Sequence, residues 1–446
     1  VCIDGTTTDG HMYIPEAIKN GAVAVLVQKD VEAPENITVV KIPNTRYGLA
    51  HVSDKFFNHP SGRFNLIGIT GTKGKTTTTF MVKNILEACG HKVGLIGTVR
   101  NMIGDETVYV GRNTTPESYD LQSLFAEMAE KEVEDVVMEV SSQGLQLHRV
   151  SCCDFDIGVF TNIYKDHISP LEHKDMDEYL SAKIKLFKMC KKGLINIDSN
   201  FSERVLKEAE CETYTFGVEK DCDIRAYDIV KHSDSVEFKV DSKWIKGGIK
   251  VNIPGMFSVY NALAAIGVCT LMGVPYEAIR KGLESVNVPG RFEIVSSGTD
   301  FTVIVDYAHT ADSLENILNA VKDFARGRII CVFGCGGNKD RNRRFGMGEV
   351  SGRMADLTVI TSDNPRSEDP LAIINDIETG IKKTRGEYIK IVDRREAIKY
   401  AIENAKAGDV VIIAGKGHET YQIFKDKTIH FDDREVAKEI LREICT

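Results

Sequence analysis

The segment Thr70-Gly71-Thr72-Lys73-Gly74-Lys75-Thr76-Thr77 packs glycines, lysines and threonine hydroxyls into the length of one turn. Gly71 and Gly74 let backbone N–H groups wrap an anion. Lys75 adds a point charge, and the Thr76 hydroxyl suits a magnesium ion. Thr72, Lys73 and Thr77 complete the loop. Ile69 stands where the common Walker pattern has its first glycine, so this is a variant of that pattern. The bland alternative is a glycine turn with an incidental lysine. The flanks favour phosphate binding by a nucleotide. An apolar run of strand length, Phe64 to Ile69, comes before, and apolar residues at helical spacing, Phe80 to Leu86, come after.

Glu139 in Met138-Glu139-Val140-Ser141-Ser142 ends an apolar run. An acid there can reach a metal held at the phosphates. It can equally cap the next helix. His167 closes the segment Thr161-Asn162-Ile163-Tyr164-Lys165-Asp166-His167 after another strand, which makes it a candidate second metal ligand beside a structural role. Lys183 and Lys185 lie on one helical stretch, Tyr179 to Phe187, and cannot share a face. Sequence physics alone reads both as solvated.

In the last third, four predicted strands end in polar or glycine-rich loops. These are Asp306-Tyr307-Ala308-His309-Thr310, Gly334-Cys335-Gly336-Gly337, Asp363-Asn364-Pro365-Arg366 and Gly415-Lys416-Gly417-His418-Glu419. Open parallel sheets bind ligands at that edge. Arg366 follows a stiff proline and can grip a carboxylate with its fork. Asp363 and Glu419 can hold an ammonium. Together they suit a zwitterion such as an amino acid, with a surface salt bridge as the bland alternative.

Strands alternating with helices must position these groups. The pattern predicts an α/β protein of three domains: 1–62 at the N-terminus, a central P-loop parallel-sheet ATPase domain at 63–288, and a C-terminal Rossmann-like doubly wound domain at 289–446. Residues 22–27 are expected as a buried strand, and 212–253 as an antiparallel insertion. With 446 residues, 42% hydrophobic and 27% charged, the chain has ample core. A net charge of -9 argues against nucleic acid or an anionic membrane as partner. No run is long enough for a membrane span. Eleven cysteines without a paired CxxC framework point to free thiols in a cytoplasmic chain. The chain opens on Val1 inside an apolar run, and a native N-terminus preceding it is expected.

Along its length the chain resembles the Mur ligases, ATP-dependent amide-forming enzymes of peptidoglycan synthesis. The resemblance rests on TGTKGKTT, MEVSS, NIYKDH, YLSAKIKLF, VYNALAA, PGRFE, DYAHT, GCGGNKDRNRR, DNPRSEDP and AGKGHE, in the family's order. DNPR and DYAHT look like the branch that adds the third peptide residue, in its meso-diaminopimelate form. The resemblance implies ATP and Mg2+ as cofactors. It implies UDP-N-acetylmuramoyl-L-alanyl-D-glutamate and meso-diaminopimelate as substrates, and a monomer. Lys183 would be carbamylated and would join Thr76, Glu139 and His167 at the metals. Asn261, Arg291 and Asp306 would serve ATP. Thr6, Thr7, Thr8, Asn113, Thr114, Thr115, Ser141 and Arg149 would hold the UDP-muramoyl substrate. Lys339, Asp363, Asn364, Pro365, Arg366, Gly415 and Glu419 would form the amino-acid pocket. Lys75 and Lys183 would be catalytic. His309 is a candidate to take the amine proton, beside a structural role.

The chain departs from the family pattern in places. Lys339 stands where an arginine often grips the incoming carboxylate, and a lysine supplies charge without the fork. Leu147 stands where a glutamine often meets the muramoyl substrate, and Ala311 replaces the usual proline after DYAHT. The uridine-binding segment would precede Val1. Other readings are the L-lysine-adding form, a neighbouring ligase such as a folylpolyglutamate synthetase, a GTPase-like switch and a DNA-associated ATPase. DNPR argues against the neighbouring ligase. Asn338-Lys339-Asp340 is one residue short of a base-reading motif, and the acidic balance argues against DNA.

Overall fold

The computed structural model describes residues 1–446 except 6, 7, 110–112, 166, 167, 169–171, 233, 296, 297 and 446. The chain forms two compact units. One comprises 1–225, 242–244 and 263–282; the other comprises 226–241, 245–262 and 283–446.

The first unit begins with a small parallel pair, β1 (Ala24–Val27) and β2 (Thr38–Lys41). The expected strand at 22–27 is there, but only Val25 and Val27 are buried. Its partner is a short exposed strand, so only one face of the pair is covered. The main sheet carries β3 (Asn65–Thr70), β4 (Val93–Ile96), β5 (Asn101–Ile103), β6 (Glu106–Tyr109), β7 (Asp135–Glu139), β8 (Phe155–Phe160), β9 (Cys190–Asn196) and β10 (Glu212–Gly217). Their order in space is β10-β9-β8-β3-β7-β4-β5-β6. All pairings from β10 to β4 are parallel, and β5 and β6 add an antiparallel edge. The chain leaves β3 toward β4 on one side and leaves β8 toward β9 on the other. Such a reversal opens a crevice at the carboxyl edge. β3 and β7 are buried along nearly their whole length, as strands covered on both faces must be. Leu66, Met138, Phe160 and Leu180 belong to this unit's core.

The antiparallel insertion expected at 212–253 begins later than the sequence pattern suggests. β10 runs parallel to β9, and the start of β11 (Ile224–Lys231) runs parallel to β10. Antiparallel pairing is found between β12 (Val236–Ser242) and β13 (Lys246–Val251). β12 alternates strictly between buried and exposed residues, and that alternation is what the sequence displayed. β10 lacks it, because it buries its last residues within a parallel sheet.

The second unit holds β14 (Glu293–Ile294), β15 (Thr302–Asp306), β16 (Ile329–Phe333), β17 (Leu357–Ile360), β18 (Glu387–Lys390) and β19 (Val410–Ala414), ordered β14-β15-β19-β16-β17-β18. From β15 to β18 every pairing is parallel. The four polar loops after β15, β16, β17 and β19 therefore share one edge. A separate core that includes Val305, Val332 and Ile413 supports it. No described helix is long and apolar enough to cross a membrane, and the described cysteines are free thiols.

Candidate active site

In the first unit, β3 delivers its chain into the glycine loop, and the helix Lys75–Ala88 starts from Gly74 in a left-handed conformation (φ 86). Gly71 has φ 151, and a Cβ there would lie 2.0 Å from Thr161 Oγ1. Only glycine fits, so the loop can lie directly against the segment after β8. That segment braces it. Thr161 Oγ1 donates to the Lys73 carbonyl at 2.7 Å. The Asn162 side chain accepts from Lys73 N at 2.8 Å and donates to the Lys73 carbonyl at 3.1 Å. Thr72 N donates to the Asn162 carbonyl at 2.9 Å. Lys75 Nζ donates to the carbonyls of Gly71 and Thr72 at 2.9 and 3.1 Å, across the mouth of the loop. Thr77 is buried on the helix.

Glu139 is 1% exposed and does not cap the following helix; Ser141 does so, accepting from Gly144 N at 3.0 Å. The carboxylate instead accepts from Thr76 Oγ1 at 2.9 Å, from Thr98 N at 2.8 Å and from Thr98 Oγ1 at 3.0 Å. Thr98 was missed in the sequence reading. Its only signal is its place just beyond a parallel strand, β4. Thr98 Oγ1 lies 3.0 Å from Thr114 Oγ1. Thr115 Oγ1 donates to the Glu139 carbonyl at 3.0 Å and accepts from Ser141 N at 2.9 Å. Arg149 donates to the Thr115 carbonyl at 3.1 Å and pairs with Glu117 at 2.7 Å. Asn113 is exposed beside them. Thr114, Thr115, Ser141 and Arg149 thus form one polar wall that continues from Glu139. The Thr8 carbonyl accepts from Gly5 N at 3.0 Å. Thr6, Thr7 and His167 lie outside the described residues.

The solvated reading of Lys183 is overturned. Lys183 is 1% exposed, on the helix Met176–Ile184. Its Nζ donates to the Gly71 carbonyl at 2.9 Å and lies 4.5 Å from the centre of the Tyr179 ring. The Tyr179 hydroxyl is 2.9 Å from Thr72 Oγ1. Periodicity could not foresee this, because a short-range pattern does not say which helix faces the loop. Lys185 points elsewhere, donating to Gln146 Oε1 at 2.7 Å. Burial pulls its ammonium below the usual lysine range.

The chemistry of these donors fits the groups that the motif implies. Gly71 keeps a cradle that a side chain would fill. Thr76 and Glu139 offer hard oxygen atoms beside it, the kind that magnesium takes.

In the second unit, the loop ends of β17 and β19 close on each other. Gly415 (φ 114) would place a Cβ 2.8 Å from Asp363 Oδ2. Asn364 donates from Nδ2 to Glu419 Oε2 at 2.8 Å and accepts at Oδ1 from Ile423 N at 3.0 Å. Burial raises the Glu419 carboxyl above the usual range, and Lys416 opposes the rise. Arg366, after Pro365, is held in a left-handed conformation (φ 55), with Nη1 on the Gly337 carbonyl at 2.8 Å. Lys339 is exposed in the loop after β16. Behind the pocket, buried Arg394 pairs with buried Asp433 at 2.7 Å and donates to the carbonyls of Ser362 and Ala414 at 3.2 and 3.0 Å. It ties the ends of β17 and β19 together.

Asp306 accepts from Phe292 N and Ala308 N at 2.8 and 2.7 Å, so it shapes two turns. Burial raises its carboxyl, with nearby Arg291 opposing. The Arg291 guanidinium lies 4.5 Å from the Tyr307 ring centre. His309 is exposed and lies against the Tyr307 ring at 4.6 Å. Asn261 is buried on the helix Met256–Leu271.

Comparison with known proteins decides the family. The model of the Mur ligase middle domain matches residues 69–269, and that of the Mur ligase, glutamate ligase domain matches 290–417. A protein of Caldanaerobacter subterraneus subsp. tengcongensis, named UDP-N-acetylmuramoyl-L-alanyl-D-glutamate--2,6-diaminopimelate ligase, is 51% identical, over 99% of this chain and 92% of its own. This chain belongs to the Mur ligase family. Its fold agrees. A solved UDP-N-acetylmuramoyl-L-alanyl-D-glutamate--2,6-diaminopimelate ligase superposes with TM-score 0.70 at 28% identity, over 98% of this chain and 90% of that one. The MurF ligase of Thermotoga maritima, solved in complex with ADP, superposes with TM-score 0.65 at 18% identity, over 99% and 92%. The Mur ligase relatives are named as ligases, and this chain is an enzyme of that class.

Proposed function

We propose that this Mur ligase joins meso-diaminopimelate to the D-glutamate γ-carboxylate of UDP-N-acetylmuramoyl-L-alanyl-D-glutamate at the expense of ATP, in peptidoglycan precursor synthesis. One observation carries the reading. A single chain, 51% identical to a named 2,6-diaminopimelate ligase, holds both a braced phosphate loop and a loop cluster with Arg366, Asp363 and Glu419. An arginine and two acids match the carboxylate and ammonium of a zwitterion.

In this reading Lys75 and the loop backbone bind the ATP phosphates. The wall of Thr114, Thr115, Ser141 and Arg149 orients the muramoyl substrate. The substrate γ-carboxylate attacks the γ-phosphoryl group, giving an acyl phosphate and ADP. The amine of diaminopimelate then attacks the acyl carbon, and phosphate leaves. Arg366, Asp363, Asn364 and Glu419 orient that amine, with Lys339 and Gly415 lining the same loops. Thr76, Glu139, His167 and carbamylated Lys183 would hold magnesium, which when bound neutralises the phosphate charge. Carbamylation adds CO2 to Lys183 Nζ with loss of two protons, and turns a cation beside the loop into an anion. Asn261, Arg291 and Asp306 serve ATP. Thr6, Thr7 and Thr8 serve the uridine end. The reading also carries a monomer in the cytoplasm, and domains at 1–62, 63–288 and 289–446 for the UDP substrate, ATP and the amino acid.

The test is phosphate release from ATP and magnesium with the muramoyl dipeptide, comparing meso-diaminopimelate, L-lysine and no amino acid. Release only with diaminopimelate is expected. Release with L-lysine instead assigns the lysine-adding form. Equal release without either acceptor assigns a hydrolase or switch.

A further inference from the structure

Lys416 lies inside the β19 loop and is 0% exposed, among the largest fully buried side chains of the protein. A buried ammonium is costly unless acceptors surround it. Lys416 Nζ donates to Asn364 Oδ1 at 3.3 Å, to Glu419 Oε2 at 3.1 Å and to the Tyr421 carbonyl. An ammonium has three protons, and these three acceptors use them all. Lys416 therefore has no donor left for a ligand carboxylate. Its partners close a ring, because Asn364 Nδ2 also donates to Glu419 Oε2 at 2.8 Å. With Oδ1 accepting from Lys416 and from Ile423 N, the Asn364 amide has a single orientation that satisfies both sides. Both side-chain bonds to Glu419 land on Oε2, and Oε1 takes neither.

We propose that Lys416 is the positioning residue of the amino-acid pocket, locking the Asn364 amide and the Glu419 carboxylate so that Oε1 receives the ammonium of the incoming amino acid. The inference rests on the reading of this loop cluster as the amino-acid site. Glu419 is faced by Lys416 and Asp363, with Arg394, Tyr307 and Tyr421 also within electrostatic reach. Burial raises the Glu419 carboxyl and Lys416 counters it. Without Lys416 the carboxyl rises further. It then protonates as pH falls, and the ammonium loses its partner. The loss belongs to the low-pH side.

The experiment measures KM for meso-diaminopimelate, ATP and the muramoyl dipeptide, with kcat, from pH 6 to 9 (a range of about three units around neutrality). It uses the full-length enzyme and its Lys416→Met, Glu419→Gln and double variants. Lys416→Met should raise the diaminopimelate KM by about 10- to 100-fold. The rise should be largest at low pH, with the other two KM values and kcat at saturating amino acid little changed. The double variant should match Glu419→Gln, without the added pH dependence. Lys416→Arg, which restores the charge, should recover part of the loss. If Lys416→Met does not melt cooperatively, Lys416→Gln carries the same expectation. A diaminopimelate KM that stays put, or an equal loss at every pH shared by all three substrates, overturns the proposal. If the amino-acid site lies elsewhere, Glu419→Gln itself leaves the diaminopimelate KM unmoved, which separates failure of that reading from failure of the Lys416 role.

Discussion

The two sites are organised by different forces. In the first unit, backbone and hydroxyl groups do the positioning. Thr161, Asn162, Thr98 and Thr115 brace the phosphate loop and Glu139 through hydroxyl, amide and backbone groups. In the second unit, buried charges do it. Arg394 with Asp433, and Lys416 with Glu419, hold the loop ends of β17 and β19. A site for a polyphosphate gains from a loop that closes tightly on an anion. A site for a zwitterion must place both signs, and each buried charge needs its own partner. The lesson is that the first site is sensitive to shape and the second to charge.

That contrast can be broken or sharpened by substitution. The largest effect is expected from Gly71→Ala. The added Cβ meets Thr161 Oγ1 at 2.0 Å, so the loop must shift off its brace. Displacement of about an ångström should cost about 100-fold or more in kcat/KM for ATP, read by steady-state phosphate release. Near-normal turnover would show that shape is not what the loop requires. Next, Arg394→Met strands a buried Asp433. It should lower unfolding free energy by about 3–5 kcal/mol in urea melts, while Arg394→Met with Asp433→Leu recovers most of it. No stability loss in the single variant would remove charge as the organiser of the second unit. Thr98→Val removes the hydroxyl bonds to Glu139 and Thr114 but keeps the backbone bond. About 1 kcal/mol, or roughly fivefold in kcat/KM for the muramoyl substrate, is expected. The smallest effect should come from His309→Ala. His309 is exposed against Tyr307, and a drop below about tenfold marks a structural role, while 100-fold or more would make it the general base.

Much of this was legible in the residues. The strand, loop and helix around Gly71 read directly, because each is a local pattern of a few residues. The four polar loops after β15, β16, β17 and β19 were also legible, since a parallel sheet sends successive carboxyl ends to one edge. β10 was misread, because a short strand in a parallel sheet carries no alternation to mark it. Thr98 and Lys416 went unnoticed for a related reason. Each acts through partners 41 and 52 residues away, Glu139 and Asn364, and no window of sequence contains both.

By itself, the amino-acid sequence determined the α/β alternation, the phosphate loop, the acidic balance and the resemblance to a ligase family. These follow from periodicity, glycine placement and composition, all properties of neighbouring residues. Only the tertiary structure decided which side chains are buried and what they touch. It brought Lys183 onto the Gly71 carbonyl, Glu139 onto Thr76, and Lys416 between Asn364 and Glu419. The physical reason is that a lysine or a carboxylate has the same helical or strand periodicity whether it meets water or a partner. Its surroundings, and therefore its charge and its role, are set by elements that the sheet order brings together from distant parts of the chain.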